Sequence, residues 1–255
     1  MKKLIVALLM FIPLQIVRGQ DRSIAIQETP NPVHSWMIGL QVGGASLLAS
    51  TANYEMSMLY YATPEQVPNY PKQINQGWNF DGNIYYMFSN NFGLGAKYSL
   101  FTFSTQNEFA RRDLYYSYLY VITKQRQNIH FTGLSAISQQ WLNKNQKLRL
   151  TETISAGYLC YRDKLQIDGY LNPYFPHSRA LIIKNTWGID AGLSLEYYPM
   201  SWLSIGTNAG FTYTRLNKVE INTNSVVSKE ETIKFAPQPL SILKYSLSIR
   251  YHINH

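Results

Sequence analysis

The spacing of its turn signals constrains this chain more than any other feature. Eight segments with period-two alternation, roughly 36–49, 77–89, 92–104, 128–141, 148–161, 183–198, 202–215 and 239–254, are separated by joins of two sizes. Three joins are short (90–91, 142–147 and 199–201) and four are long (50–76, 105–127, 162–182 and 216–238). The sizes alternate strictly, beginning with long. An up-and-down barrel with both termini on one side of a membrane produces this rhythm, with short periplasmic turns and longer outer loops. A soluble sandwich, the alternative fold, has no reason to gather every short turn at one end.

The alternation is clearest near the C-terminus. Leu243, Tyr245, Leu247, Ile249, Tyr251 and Ile253 share one face of the last segment, and Lys244, Ser246, Ser248, Arg250 and His252 share the other. Leu203, Ile205, Ala209, Phe211 and Tyr213 alternate with Ser204, Gly206, Asn208, Gly210 and Thr212 in the segment before it. In a membrane barrel the apolar set faces lipid while small and polar residues fill the lumen. The segments reach or exceed the 9–11 or so residues that cross a hydrocarbon layer at a tilt. Two segments fit less cleanly. In the fourth, Phe131, Ile137 and Trp141 share a parity with Gly133, Ser135 and Gln139; in the fifth, Glu152 shares a parity with Leu150, Ile154 and Tyr158. A local bulge that flips the parity would resolve both conflicts.

Composition points the same way. Charged residues are 15% of the chain, against about 25% in ordinary soluble domains, and there are 20 tyrosines. After the N-terminal run, no stretch is long and apolar enough for a transmembrane helix, which leaves a closed barrel as the way to satisfy every backbone group in lipid. Phe92, Trp141, Tyr197, Trp202 and Tyr251 lie beside the short turns or the C-terminus, where an interfacial aromatic girdle belongs.

Lys2 and Lys3, the apolar run 4–14, and Val17 and Gly19 before Gln20 read as an export signal over residues 1–19. Cleavage lowers the net charge from +8 to +5 by removing Lys2, Lys3 and Arg18. Residues 20–35, with Pro30-Asn31-Pro32, read as a periplasmic lead-in to a barrel domain over 36–255. The remaining positive charge is dispersed and gives no nucleic-acid footprint. A lone Cys160 excludes an internal disulfide.

The units Tyr85-Tyr86-Met87-Phe88-Ser89-Asn90-Asn91-Phe92-Gly93-Leu94-Gly95 and Glu196-Tyr197-Tyr198-Pro199-Met200-Ser201-Trp202-Leu203-Ser204-Ile205-Gly206, with the terminal strand 245–253, carry a family resemblance. The chain resembles the eight-stranded OmpA/OmpX-like outer-membrane barrels over nearly all of residues 36–254. The resemblance implies an all-β, antiparallel, up-and-down transmembrane barrel in the bacterial outer membrane. It also implies a monomer without cofactors, surrounded by outer-membrane lipid and lipopolysaccharide and recognised by the barrel-insertion machinery through its last strand. His255 departs from the terminal aromatic residue of that insertion signal.

Three functions remain open on the sequence. A structural or surface-interaction role would rest on the long joins, where Tyr115, Tyr116, Tyr118 and Tyr120, then Tyr170, Tyr174 and Phe175, supply aromatic contact candidates for a surface protein partner. Residues 218–222 and 226–235 flank Thr223-Asn224-Ser225 as a candidate hairpin, whose edge suits strand addition. A narrow channel or carrier would use the lumen-parity charges Asp81, Lys97, Lys184, Asp190, Glu196, Lys244 and Arg250, which also suit a packed network of ion pairs. A lipid-modifying hydrolase needs serine beside a base, but His130 precedes Thr132 rather than serine at that spacing, and His177-Ser178 are neighbours in a join. The five histidines, His34, His130, His177, His252 and His255, lack metal-ligand spacing. The expected role is therefore non-enzymatic.

Overall fold

Alternating side chains make a strand whose two faces meet different surroundings, and hydrogen bonding then joins such strands edge to edge. The computed structural model describes residues 35–48, 75–111, 119–170, 178–216, 219–224, 231–235 and 238–254. The strands are β1 (Ser35–Leu47), β2 (Gln76–Met87), β3 (Phe92–Arg111), β4 (Leu119–Trp141), β5 (Leu148–Tyr170), β6 (Ser178–Met200), β7 (Leu203–Leu216), β8 (Val219–Asn224), β9 (Glu231–Phe235) and β10 (Gln238–Asn254). Eight of them, β1 to β7 and β10, pair antiparallel in a closed ring, because β1 pairs with β10 and β5 also pairs with β6. The expected hairpin is β8 and β9, attached through β8 to residues 179–181 of β6, but Thr223 and Asn224, expected in its turn, are the last paired residues of β8. The export signal, the lead-in up to residue 34, and Tyr115, Tyr116, Tyr118, Tyr174 and Phe175 lie outside the described residues.

The ladder closes with a stagger. Paired residues lead from Ile38 through Ile84, Ala96, Leu134, Ala156, Ile189, Tyr213 and Ser241 back to Leu48, just past the end of β1 and ten residues beyond the start. With eight strands, such a shear sets them about 40–45° from the barrel axis. Many outward aromatic residues then fall in two rows, with Phe80, Tyr98 and Tyr245 also exposed between them. Trp36, Tyr86, Phe92, Tyr197, Trp202 and Tyr251 stand at the short-turn end, and Trp78, Tyr158, Trp187 and Tyr213 at the other. Tyr197 and Trp187 are ten residues apart on β6. That is roughly 33 Å along the strand and about 24 Å along the axis, the height of the apolar band on a membrane barrel. Leu40, Leu94, Leu134, Leu193 and Leu247 are exposed between the rows, as a surface bathed in hydrocarbon requires.

Each short turn has its own chemistry. Ser89 Oγ accepts from the amides of Asn91 and Phe92, at 3.4 and 3.0 Å. Asn143 Oδ1 accepts from Lys147 and Leu148, at 3.0 and 3.1 Å, in a turn where Gln146 takes a left-handed φ of 52°. The third turn carries a register shift between Tyr197 and Met200, around Pro199, which has no amide hydrogen to give to a ladder.

Two sequence expectations change. β3 to β6 run five to nine residues beyond their expected outer ends, so much of the second and third long joins is paired strand rather than loop. No bulge lies in β4 or β5, whose registers are continuous on both sides. Phe131, Ile137 and Gln139 point inward, and Glu152 stands on the outward face of β5 near its turn end.

Inside, bulky and absent side chains are matched across strands. Tyr85, Gly95 and Ser135 are successive register partners, and Tyr85 lies over Gly95 to place its hydroxyl 2.9 Å from Ser135 Oγ. A Cβ on Gly95 would collide with the Ile84 carbonyl oxygen and Tyr85 Cα. Gly95→Val is therefore expected to destabilise the barrel by about 1–3 kcal/mol, whereas Ala96→Val, on the lipid-facing side of β3, should change little. Urea unfolding in detergent micelles measures both, and equal effects would contradict the bridging role of Tyr85.

Candidate functional site

Charge inside a barrel this narrow must be paired within it, because burying an uncompensated ion is costly. Alternation turns Asp81 on β2, Lys97 on β3, Asp190 on β6 and Lys244 on β10 into the lumen, and the shear brings all four to one level. They close a ring. Lys244 Nζ lies 3.0 Å from Asp81 Oδ2 and 2.6 Å from Asp190 Oδ2, while Lys97 pairs with Asp190 and lies 3.5 Å from Asp81. Two cations and two anions leave the ring neutral. Asn79 Nδ2 donates to Asp81 Oδ1 at 2.8 Å and Thr212 Oγ1 donates to Asp190 Oδ2 at 2.6 Å.

A second level lies nearer the short turns. Arg250 pairs with Glu196, which also accepts from Ser204 Oγ at 3.1 Å. Arg149 donates to Gln139 Oε1 at 2.6 Å and to the Tyr198 hydroxyl at 3.0 Å. Its guanidinium carbon stands 3.8 Å from the Trp141 ring centroid, within cation–π range. The placement of Trp141 thus differs from the girdle reading. It has the lumen parity of β4 and closes the mouth over Arg149, while Phe92, Tyr197, Trp202 and Tyr251 are exposed on the outer wall. Trp202 and Tyr251 are 5.6 Å apart, centroid to centroid.

At the opposite end the lumen turns apolar. Phe101, Phe103, Ile129, Phe131 and Leu159 are fully buried and form one cluster with Ala45, Leu47, Tyr161, Leu216, Leu240 and Ile242. Above it, the Asp163 carboxylate accepts from Gln125 Nε2 at 2.8 Å and from the Tyr161 hydroxyl at 3.2 Å. The interior is therefore occupied in layers: a polar mouth, a charged ring, an apolar plug and a polar cap.

Of the seven lumen charges expected from parity, four meet in the ring and two in the Arg250–Glu196 pair. Lys184 stands further out on β6, half-buried, and joins neither. Tyr120 and Tyr170 are cross-strand partners at the outer ends of β4 and β5. His130, weighed as a catalytic base, faces outward with Nδ1 2.8 Å from the Tyr98 hydroxyl. His177 lies outside the described residues. Sequence reasoning missed Arg149 and the plug. The available signal was the polar character of outward residues Thr102, Ser104, Asn128 and Arg162, just where the inward parity turns aromatic.

Lys244→Met leaves both aspartates sharing Lys97 alone. A loss of about 3–5 kcal/mol in unfolding free energy is expected, with much of it recovered in Lys244→Met/Asp81→Asn. A double variant no more stable than the single one would show that pairing is not what holds the ring.

No family model and no curated protein matches the chain. Solved structures do. Neisserial surface protein A is 10% identical, covering 85% of this chain and 96% of that one, with a TM-score of 0.41. The outer membrane protease OmpT of Escherichia coli is 10% identical, covering 86% and 96%, with a TM-score of 0.47. The outer membrane protein OprG from Pseudomonas aeruginosa is 11% identical, covering 86% and 96%, with a TM-score of 0.43. The closed ladder, its shear and its exposed apolar band establish the architecture by themselves: an eight-stranded up-and-down transmembrane β-barrel.

Proposed function

We propose that the chain is a non-conducting, non-enzymatic barrel of the bacterial outer membrane, whose role is structural or surface interaction through its raised outer wall. The observation that carries this reading is the filled lumen. A conduit needs a continuous polar path, and the cluster from Phe101 to Ile242 interrupts it at the outer rim, above a ring whose charges already neutralise one another. Rigid framework around such a plug is what an outer wall needs for support. β3 to β6, of 20 to 23 residues, carry paired backbone well beyond the band that β1 and β2, of 13 and 12, suffice to cross. The β8–β9 hairpin adds a strand, β9, that pairs only with β8 among the described residues, and such an edge accepts another strand.

Planar-bilayer recording of the mature chain tests the first half of the proposal. No conductance steps above the bare membrane are expected, and reproducible steps would favour the channel or carrier reading. The second half is tested on cells. Leu216 and Gln238 are cross-strand partners, so a two-residue turn between them removes the hairpin and leaves the barrel closed. Cells expressing that variant should lose any adhesion or aggregation conferred by the intact chain. Retention of the full phenotype would remove the hairpin from the interaction surface.

A further inference from the structure

Above the outer aromatic row, the outward faces of β4 and β5 change character from apolar to basic. Lys124 and Arg126 on β4 and Arg162 and Lys164 on β5 are all exposed and share one side of the sheet. Arg126 and Lys164 are direct register partners, Arg162 stands opposite Asn128, and Lys124 opposite Gln166. Like charges placed opposite each other across an antiparallel pair destabilise it. None of the four is ion-paired among the described residues. The carboxylates on the same faces, Glu108 and Asp168, lie further from the membrane, and Gln106 and Gln166 donate to them at 3.4 and 2.9 Å. The β3 side of the patch is neutral, with Ser104 opposite Arg126 and Gln106 opposite Lys124. Together Ser104, Gln106, Lys124, Arg126, Lys164 and Gln166 line a depression of about 390 Å³ in the wall.

Its height identifies the occupant. Arg162 and Lys164 lie four and six residues beyond Tyr158 on β5, and Arg126 is the register partner of Lys164 on β4. At about 3.3 Å per residue and the barrel's tilt, the quartet stands roughly 10–15 Å above the outer aromatic row. That is too high for acyl chains and too low, and too lateral, for a partner resting on top of the rim. A surface continuous with the lipid-facing band, and at this height, meets the sugar headgroups of the outer leaflet.

We infer that Lys124, Arg126, Arg162 and Lys164 form a binding site for a phosphate-bearing saccharide headgroup of the outer-leaflet glycolipid. The inference rests on the outer-membrane placement proposed above. Phosphate supplies the counter-charge that the fold leaves out, guanidinium groups grip it with paired donors, and the amide and hydroxyl groups of Gln106, Gln166 and Ser104 suit sugar hydroxyls. Bound this way, a headgroup relieves the Arg126–Lys164 repulsion and fixes the raised wall against the leaflet.

The test uses the mature chain refolded in zwitterionic detergent micelles, with rough lipopolysaccharide as the probe and binding read by microscale thermophoresis. The heat-dependent shift in gel mobility reports folding separately, so loss of the barrel and loss of the site are distinguishable. Lys124→Gln/Arg126→Gln/Arg162→Gln/Lys164→Gln should weaken binding about tenfold or more, at about a factor of five for each charge near an anionic surface before screening. Lys144→Gln/Lys147→Gln, at the opposite end of the barrel, should bind as the native chain does. Lipopolysaccharide stripped of phosphate should bind the native chain as weakly as intact lipopolysaccharide binds the fourfold variant. Native affinity in the fourfold variant, equal loss in the control, or undiminished binding of the stripped lipid would each overturn the site. Should the fourfold variant not fold, Arg126→Gln/Lys164→Gln is read instead, beside a salt titration of the native chain. Binding indifferent to salt would then count against the inference.

Discussion

In a hydrocarbon layer no water is present to satisfy a backbone amide, so a sheet there must leave no edge. Closure of β1 on β10 meets this demand, and much else in the molecule follows from how it closes. The ten-residue stagger fixes the tilt, the tilt fixes how many residues cross the band, and both fix which side chains share a level inside. Asp81, Lys97, Asp190 and Lys244 are scattered over 163 residues of chain and meet because the shear brings their positions to one height. A barrel with a different stagger, and the same sequence, would strand those charges at unequal depths.

The interior shows how a narrow barrel resolves a conflict between solvation and packing. Polar lumen residues keep the strands from inverting in the membrane, yet an eight-stranded lumen is too narrow to hold bulk water, so each polar group needs a protein partner. Paired charges and side-chain hydrogen bonds answer much of this demand, while Asn83, Ser99, Thr151 and Ser248 each keep a buried side-chain oxygen with no partner among the described residues. Beyond the outer aromatic row the outside of the wall turns polar, as a surface in water does, and the inward face is free to become an ordinary apolar core. The polarity of both faces therefore reverses at the rim, with Phe101, Phe103 and Phe131 turning in while Thr102, Ser104 and Asn128 turn out.

That reversal also marks where the sequence stops being easy to read. Strand number, order and the short turns were legible because Asn90-Asn91, Asn143 and Pro199 punctuate the alternation sharply, and the three tight turns all fall at one end. Ion pairing between lumen charges followed from parity and depth. Strand length did not, because above the membrane both faces of β3 to β6 mix polar and apolar residues and the contrast that defines a lipid-facing strand fades. A rule that sends apolar residues outward misassigns Phe131 and Ile137, and it invited a bulge where the register in fact runs unbroken. Trp141 was misread for a related reason: an aromatic residue beside a turn suits either face, and only Arg149 beneath its ring decides which.

The height of the wall is itself uneven, and unevenness requires support. β1, β2 and β7 end near the rim, while β3 to β6 continue past it, so among the described residues one side of the barrel carries a sheet that is no longer closed on itself. An open sheet in water has exposed edges, which natural proteins cover or blunt. Here β8 covers part of β6, and β9 covers β8 in turn. The membrane thus closes the lower part of this sheet by forbidding edges, and water permits the upper part to stay open. The outer wall thus carries paired backbone whose edges stay open among the described residues, above a base whose lumen is filled by its own side chains.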